Sequence, residues 1–390
     1  MNFIKEIIKI KGLNIDKYIG EFWTAKQRQM HSLHYVVSYR ASFKPELPNF
    51  FIKNFSNKED VIFDPFAGRG TTILEANLLE RIGWANDVNP LSNLFCYSKT
   101  HPVKIEQIKE RLNCFNLQKQ INCENDLYMF YHNDTYKELL NLKEYIKNNF
   151  DDINRFIQLI AISRLHGHSK GFFSVYSFPQ ISIPKENQIK INQKRNQIPE
   201  YRDVKKLILR KAKSSLKDNK INEINKISQN NLYTINDATD LKDIPSDSVS
   251  LIITSPPFLD KADYIMDNWL ELWFVDISIK SLKNKIMQTG NLDVWKSFIK
   301  NSMKEMYRVL KSNGLMAIEV GEVKYKNQII NLDEILIELC FELYEEGYDM
   351  LPKKIFIHQQ EFTKLANCFN VSNNKKGTNT HRIVLFEKRS

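Results

Sequence analysis

The sequence is poor in the residues that signal disulfide frameworks, zinc sites and membrane spans. Its 390 residues include five cysteines, and no two of them are separated by two residues. An odd number of scattered cysteines excludes a disulfide scaffold and gives no zinc-ligand spacing. No apolar run approaches the roughly 18 residues that a membrane helix requires, and the amino terminus alternates lysine with isoleucine. We therefore expect a soluble, cytoplasmic protein without membrane partners.

The composition is that of a globular protein with a basic surplus. Hydrophobic residues make up 42% and charged residues 26%, which excludes wholesale disorder. The chain carries 56 lysines and arginines against 46 aspartates and glutamates, a net charge of +10. A surplus of this sign favours a polyanionic partner, because basic side chains neutralise phosphates and release counterions.

Most of this surplus lies in one segment. Residues 185–226 hold 13 basic and 5 acidic residues, which leaves a net charge of +8. Apolar residues from Tyr201 to Leu216 follow helical spacing, while basic residues occupy the remaining surface. This pattern predicts a basic amphipathic helix, either with a solvated basic face or with a face that contacts phosphates.

On both sides of this segment, short apolar strands alternate with helices. The strand candidates are residues 61–64, 84–87, 251–254 and 315–320, and the helix candidates are residues 71–81, 151–165, 264–275 and 295–310. This alternation predicts a mostly parallel sheet covered on both faces. The last two strand candidates, residues 354–357 and 382–386, lack a helix of convincing length between them. We expect them to form an antiparallel hairpin at the edge of the sheet.

A glycine-containing loop follows the first predicted strand. Residues 64–72 read DPFAGRGTT and lead into a predicted helix. Gly68 and Gly70 let the backbone turn sharply and approach a ligand, although a tight turn without a ligand explains them as well. Ile73 replaces the third glycine of a dinucleotide fingerprint, which argues against NAD. Asp87 ends the next strand, where a carboxylate either binds ribose hydroxyls or serves as a turn residue.

A second loop with chemical character follows the strand at 251–254. Residues 254–258 read TSPPF. Pro256 and Pro257 hold the backbone extended and remove two amide donors, which leaves a surface of hydrogen-bond acceptors. The Ser255 hydroxyl and the neighbouring carbonyls can accept both hydrogens of an aromatic amine while its ring stacks on Phe258.

Together, the two loops resemble the signature of amino-directed DNA methyltransferases that use S-adenosylmethionine, and the SPPF form is similar to the N4-cytosine branch. The resemblance extends over most of the chain through YRASFKPELPNFF (39–51), GWANDVNP (83–90), NDATDL (236–241), DNWLELWF (267–274), RVLKSNGLMAIEVG (308–321) and THRIVLFEK (380–388). With the predicted elements, it implies an α/β fold, which is a Rossmann-like, mostly parallel methyltransferase sheet with an antiparallel edge hairpin and a helical insertion.

The resemblance also implies roles for individual residues. The methionine part of S-adenosylmethionine would lie against Asp64, Phe66, Gly68, Gly70 and Thr71. Asp87 would hold the ribose, Asp237 would accept from the adenine amino group, and the methionine end would be closed by Lys44 and Pro45. The target-base site would be formed by Ser255, Pro256, Pro257 and Phe258. Two positions depart from the common pattern, because many relatives have serine in place of Arg69 and tyrosine in place of Phe258.

The implied activity is methyl transfer from S-adenosylmethionine to N4 of a cytosine flipped out of double-stranded DNA. It would belong to a restriction-modification or epigenetic system, and in the first case its partner would be a cognate restriction endonuclease. The second loop has no cysteine, which argues against methylation of the cytosine ring carbon. Three alternatives stay open: N6 of adenine in DNA, an amino group of an RNA base, and a nucleic-acid-binding protein without activity. An aspartate or asparagine at Ser255 would have favoured adenine.

We divide the chain into three parts. Residues 1–114 and 228–390 would form the catalytic domain, with the cofactor loop in the first part and the TSPPF loop in the second. Residues 115–227 would form a basic helical insertion that recognises the target. Its expected DNA contacts are Lys205, Lys206, Arg210 and Lys211. We expect no metal site, and His166 and His168 have the pattern of ordinary polar residues.

Overall fold

A nine-stranded mixed sheet runs through the described part of the chain. The computed structural model describes residues 3–26, 28–119, 121, 124–259, 263–283, 285–363 and 376–389. The strands are β1 (Phe3–Ile10), β2 (Leu13–Gly20), β3 (Val61–Asp64), β4 (Ile82–Asn86), β5 (Leu232–Thr234), β6 (Val249–Thr254), β7 (Leu310–Val320), β8 (Glu322–Tyr325), β9 (Gln328–Asn331), β10 (Met350–Thr363) and β11 (Lys376–Lys388). Strands β8 and β9 form a separate hairpin. The main sheet has the order β1-β2-β10-β11-β7-β6-β3-β4-β5.

Helices cover both faces of this sheet. They are α1 (Glu46–Phe55), α2 (Thr71–Leu78), α3 (Pro90–Thr100), α4 (Ile105–Cys114), α5 (Asn133–Asn148), α6 (Asp152–Ile162), α7 (Lys185–Arg195), α8 (Val204–Ser215), α9 (Ile221–Ser228), α10 (Trp269–Phe274), α11 (Ile279–Leu282), α12 (Leu292–Val309) and α13 (Leu332–Glu345). Strands β7, β6, β3, β4 and β5 are parallel to one another. The predicted α/β class with a mostly parallel methyltransferase sheet is therefore confirmed.

The central strands are buried on both faces. Ile252 of β6 packs with Trp295 of α12, whereas its neighbour Ile253 packs with Phe51 of α1 on the opposite face. All four of these side chains are at most 1% exposed. Successive side chains of a strand point to opposite faces, so a strand covered on both sides reads as an unbroken apolar run. This is why the short apolar segments predicted the sheet correctly.

The position of the C-terminal hairpin differs from the expectation. Strands β10 and β11 pair antiparallel, as predicted from residues 354–357 and 382–386. The prediction that this hairpin forms the sheet edge is wrong, because β2 pairs in parallel with the free side of β10. The edge is formed by β1, whose alternating lysines and isoleucines have the period of a strand. Ile15 of β2 is buried, whereas Ile4 and Ile7 of β1 are exposed.

The basic segment folds as helices that share an apolar core with the rest of the molecule. Phe156 of α6 and Ile208 of α8 belong to the same buried cluster as Leu91 of α3 and Leu270 of α10. The predicted amphipathic helix is present as α8. The domain boundaries at 115 and 227 stay a prediction. Within the described ranges, no helix combines the length and apolar character needed to cross a membrane.

Candidate active site

A cavity at the carboxyl ends of the central parallel strands brings the two motif loops together. It encloses about 800 Å³, including space open to solvent. Eight of the residues assigned from the sequence line it: Asp64, Phe66, Gly68, Thr71, Asp87, Asp237, Ser255 and Pro257. The glycine turn and the Ser-Pro-Pro loop, residues 255–257, therefore border one cavity. Crevices at this edge of an open parallel sheet are where α/β proteins bind ligands.

Asp64 connects the two loops at the floor of the cavity. Its carboxylate accepts hydrogen bonds from the hydroxyl of Thr254 at 2.6 Å and from that of Thr72 at 2.8 Å. The backbone amide of Phe66 donates a third hydrogen bond at 3.1 Å. Burial of the carboxyl raises the pKa of Asp64 to about 6, although these three donors oppose the shift. Asp64 thus fixes the end of β6 relative to the start of α2.

Both glycines of the cofactor loop have left-handed backbone conformations. Gly68 has φ of 50° and Gly70 has φ of 72°, which side chains with a Cβ adopt at a cost. A Cβ on Gly70 would lie 2.9 Å from Sγ of Cys96, so α3 leaves it no space. A Cβ on Gly68 would lie 3.6 Å from the ring of Tyr39, which also lines the cavity. Gly70 therefore serves packing, and Gly68 keeps the cavity wall open.

Two further carboxylates line the cavity next to the glycine turn. The Asp87 side chain accepts hydrogen bonds from the amides of Gly68 and Asn89, both at 2.9 Å. Burial raises the pKa of Asp87, and the two amide donors oppose the shift. Asp237 is exposed, and its carboxylate accepts from the amide and hydroxyl of Thr239. These carboxylates place hydrogen-bond acceptors along one wall of the cavity.

The Ser-Pro-Pro loop holds one buried hydroxyl that the described residues leave without a partner and one carbonyl that they bind. The Ser255 hydroxyl is buried, and no hydrogen-bond partner for it exists in the described part of the chain. The carbonyl of Pro257 accepts a 2.8 Å hydrogen bond from the indole nitrogen of Trp295, a buried residue of α12. A buried hydroxyl without a partner is costly in free energy, which makes Ser255 an exception among buried polar groups.

Five of the assigned residues do not line the cavity. Gly70 faces Cys96, and Pro45 is buried at the start of α1. Lys44 is exposed beside Phe43, which does line the cavity. Pro256 is buried within its loop, and the ring of Phe258 lies near Gly321 at the end of β7. The roles assigned to Lys44, Pro45, Gly70, Pro256 and Phe258 stay predictions.

Several lining residues had no role in the sequence interpretation. Tyr39 and Tyr264 stack with ring centroids 6.3 Å apart, and burial raises the pKa of both phenols. Arg69, the departure from the common serine, donates to the carbonyl of Phe43 at 3.0 Å and so positions this wall. The remaining new lining residues include Arg40, Ser42, Lys285, Met287 and Phe298. In the sequence, segment 39–51 indicated only a resemblance to the family. Which of its side chains line the cavity could not be predicted, because they meet residues that are distant in sequence.

The four predicted DNA contacts on α8 have different environments. Lys206 and Arg210 are exposed, whereas Lys205 and Lys211 are partly buried. The Lys205 ammonium donates to the carbonyl of Phe115, and the Lys211 ammonium donates to that of Tyr35 at 3.0 Å. The helix therefore does not present all four charges to solvent.

The two histidines of the sequence analysis, His166 and His168, lie between α6 and α7. His166 pairs with Glu271 at 2.8 Å, and the described residues hold no cluster of metal ligands.

A sequence model of DNA methylases matches residues 5–90 and 249–389 of this chain. The chain belongs to the DNA methylase family. The match contains both loops of the cavity and leaves out residues 91–248, which include α5 to α9. The resemblance to amino-directed DNA methyltransferases is thereby confirmed, and this DNA methylase is an enzyme that acts on DNA.

The individual proteins that resemble this chain have low sequence identity to it. The Type II methyltransferase M.BsoBI of Geobacillus stearothermophilus is 24% identical over 370 residues, covering 80% of this chain and 71% of the relative. The Type II methyltransferase M.MvaI of Kocuria varians is 29% identical over 140 residues, covering 35% of this chain and 28% of the relative. Among solved structures, the precorrin-6y C5,15-methyltransferase of Geobacter metallireducens is 10% identical, with a TM-score of 0.35 over 91% of this chain and 93% of that one.

Proposed function

We propose that this DNA methylase transfers a methyl group from S-adenosylmethionine to N4 of cytosine in double-stranded DNA. The observation that carries the proposal is the buried Ser255 hydroxyl, for which the described residues provide no partner. Ser255 lines the same cavity as Gly68 of the glycine turn and the carboxylates of Asp87 and Asp237. A serine followed by two prolines offers hydrogen-bond acceptors to an exocyclic amine. The only donor that these three residues could offer to a ring nitrogen is the serine hydroxyl.

The cavity fits S-adenosylmethionine by the chemistry of its wall. Asp87 offers a carboxylate to ribose hydroxyls, and Asp237 offers one to an adenine amino group. Gly68 keeps space beside the ring of Tyr39, which a side chain would fill. When bound, S-adenosylmethionine supplies a methyl group on a sulfonium that needs positioning and no further activation.

The residues of the TSPPF loop would act on the acceptor amine. The lone pair of the cytosine amine is delocalised into the ring, so the free amine is a weak nucleophile. The Ser255 hydroxyl and the Pro256 carbonyl would each accept one amine hydrogen and favour a tetrahedral nitrogen with a localised lone pair. The hydrogen bond from Trp295 to Pro257 would keep these acceptors in place. A base inside a duplex cannot reach them, so the target base must flip out.

The modified base itself tests this proposal. DNA incubated with the protein and S-adenosylmethionine is digested to nucleosides and analysed by mass spectrometry. We expect N4-methylcytosine. N6-methyladenine without N4-methylcytosine would refute the choice of base, and failure to bind S-adenosylmethionine in calorimetry would favour a protein without activity.

A serine-to-alanine substitution tests the residue. Because the Ser255 hydroxyl makes no hydrogen bond in the described structure, Ser255→Ala should not lower the melting temperature, whereas kcat should fall at least about tenfold, the loss expected for one hydrogen bond to the reacting group. Ser248→Ala, just before the other end of β6, is the matched control and should keep full activity. Equal kcat values for the two variants would remove Ser255 from the reaction.

We also propose a biological setting from the similar proteins. Two of them are Type II methyltransferases, which suggests a role in restriction-modification beside a cognate endonuclease. Single-molecule sequencing of DNA from cells that express the chain should find one short motif modified at nearly every copy. Scattered modification without a motif would contradict this role.

A further inference from the structure

Four basic side chains, two exposed and two partly buried, lie near enough to influence one another's charge although their elements are far apart in sequence. We call them the basic cluster, and they are Arg28, Arg164, Arg210 and Lys211. Arg28 belongs to the loop before α1, Arg164 follows α6, and the other two belong to α8. Sequence analysis pointed to α8 alone, because only the fold brings the loop and the end of α6 to it.

Contacts around Gly171 show how closely Arg164 and Arg210 of the basic cluster approach each other. A Cβ on Gly171 would lie 3.2 Å from one guanidinium nitrogen of Arg210 and 4.0 Å from one of Arg164. Arg164 stacks over the ring of Phe172 at 4.0 Å, which fixes its direction. Arg210 donates to the carbonyl of Lys170 at 3.3 Å. Two guanidinium groups are thus held over one short loop.

Among the residues that the structure describes, no carboxylate forms an ion pair with these side chains. Each salt bridge found among the described residues joins other partners, and the basic cluster takes part in none of them. Burial, followed by repulsion from Arg210 and Arg28, lowers the pKa of Arg164 to about 10. Burial, followed by repulsion from Arg164 and Arg28, lowers the pKa of Lys211 to about 7. Like charges held together without a counter-charge favour an anionic ligand.

The basic cluster lies close to the candidate active site. The Lys211 ammonium donates to the carbonyl of Tyr35, and the chain continues from there to Tyr39 and Arg40 in the cavity wall. Four residues of chain span at most about 14 Å, which corresponds to about four steps of 3.4 Å along a DNA strand. A duplex that presents a base to the cavity therefore brings phosphates within reach of these side chains.

We propose that the basic cluster binds the phosphodiester backbone of the DNA substrate a few nucleotides from the flipped base. This inference rests on the proposed function, because it takes double-stranded DNA as the substrate. Arginine suits this role, since its planar guanidinium can hold two phosphate oxygens at once. The contacts would set the position of the duplex and carry no base specificity.

Salt dependence of DNA binding tests the proposal. Binding of a fluorescent 20-base-pair duplex to the full-length protein is measured by anisotropy between 50 and 300 mM KCl. Each lost phosphate contact should reduce the slope of log affinity against log salt by about 0.9. We therefore expect Arg28→Gln combined with Arg210→Gln to reduce the slope by about two, while Arg210→Lys retains most of it. Both arginines are exposed, so these variants should fold.

A matched control and two further readouts complete the test. Lys53→Gln removes one exposed charge from the last turn of α1 and should keep the wild-type slope. A wild-type slope in the double variant would overturn the proposal. A second result would also overturn it: inorganic phosphate, added at constant ionic strength, leaves the affinity for DNA unchanged. Mass spectrometry of the wild-type product separates this inference from the proposed function, because a reduced salt slope in the double variant supports the phosphate contacts whichever base the wild type methylates.

Discussion

The indole nitrogen of Trp295 donates a 2.8 Å hydrogen bond to the carbonyl of Pro257. Trp295 belongs to α12 and is 1% exposed, so the core of the molecule holds the loop that carries Ser255. A proline pair cannot anchor itself through its own amides, because it has none. The loop therefore depends on a donor from another element, and this dependence leads to the first prediction.

Trp295→Phe should lower kcat while the affinity for S-adenosylmethionine is retained. The smaller ring leaves a cavity in the core and the Pro257 carbonyl loses its donor, so we expect a loss of at least about 1 kcal/mol of stability. Trp84→Phe is the control, because it also loses an indole hydrogen bond to a carbonyl, that of Asn230, at an exposed position. Steady-state kinetics and calorimetry measure both effects. Unchanged kcat in Trp295→Phe would show that the loop holds its shape without this contact.

Alanine at the two glycines of the cofactor loop should have different consequences. Gly70→Ala combines a left-handed backbone with a 2.9 Å approach to Cys96, so we expect a loss of about 3 kcal/mol in unfolding free energy. Gly68→Ala meets the Tyr39 ring only at 3.6 Å and should cost about 1 kcal/mol while weakening cofactor binding. Urea unfolding and calorimetry check the two variants. Equal losses of stability would contradict the packing role of Gly70.

Asp64 should make stability depend on pH in the acidic range. Its pKa of about 6 in the folded protein exceeds the ordinary value of 3.8. Between these values the folded state binds a proton that the unfolded state does not, so this carboxyl makes unfolding free energy fall as pH rises from 4 to 6. We expect the difference between wild type and Asp64→Asn to change by about 3 kcal/mol over this range.

Urea unfolding at pH 4 to 7 measures this difference. The same substitution at the exposed Asp134 controls for general effects of removing a carboxyl. A difference between wild type and Asp64→Asn that stays constant with pH would contradict the raised pKa of Asp64.

Lys211 should make stability depend on pH in the basic range with the opposite sign. Its pKa of about 7 in the folded protein lies below the ordinary value of 10.5. Between these values the unfolded state binds the extra proton, so this group makes the protein more stable as pH rises from 7 to 10. Lys211→Gln should lack this rise when thermal unfolding is followed across the same range. An identical pH profile of stability in wild type and variant would contradict the lowered pKa of Lys211.

Patterns that are local in sequence predicted much of the fold. The apolar runs at β3 and β6 and the glycine turn before α2 were found where expected, because each depends on neighbouring residues. The edge of the sheet was not predicted correctly. Which strand adds to the free side of β10 depends on pairing between residues more than 300 positions apart, such as Tyr18 and Phe356.

The order and spacing of its motifs by themselves determined that this chain is an amino-directed DNA methylase with an α/β sheet, because strand ends, glycine turns and proline pairs are local chemical features. Only the tertiary structure decided which side chains share the cavity, which hydroxyl there lacks a partner and which cations form the basic cluster. The sequence pattern predicted that Lys205 and Lys211 contact DNA. In the structure their ammonium groups instead donate to the backbone carbonyls of Phe115 and Tyr35. Environment of this kind comes from packing between distant segments, which sequence spacing does not encode.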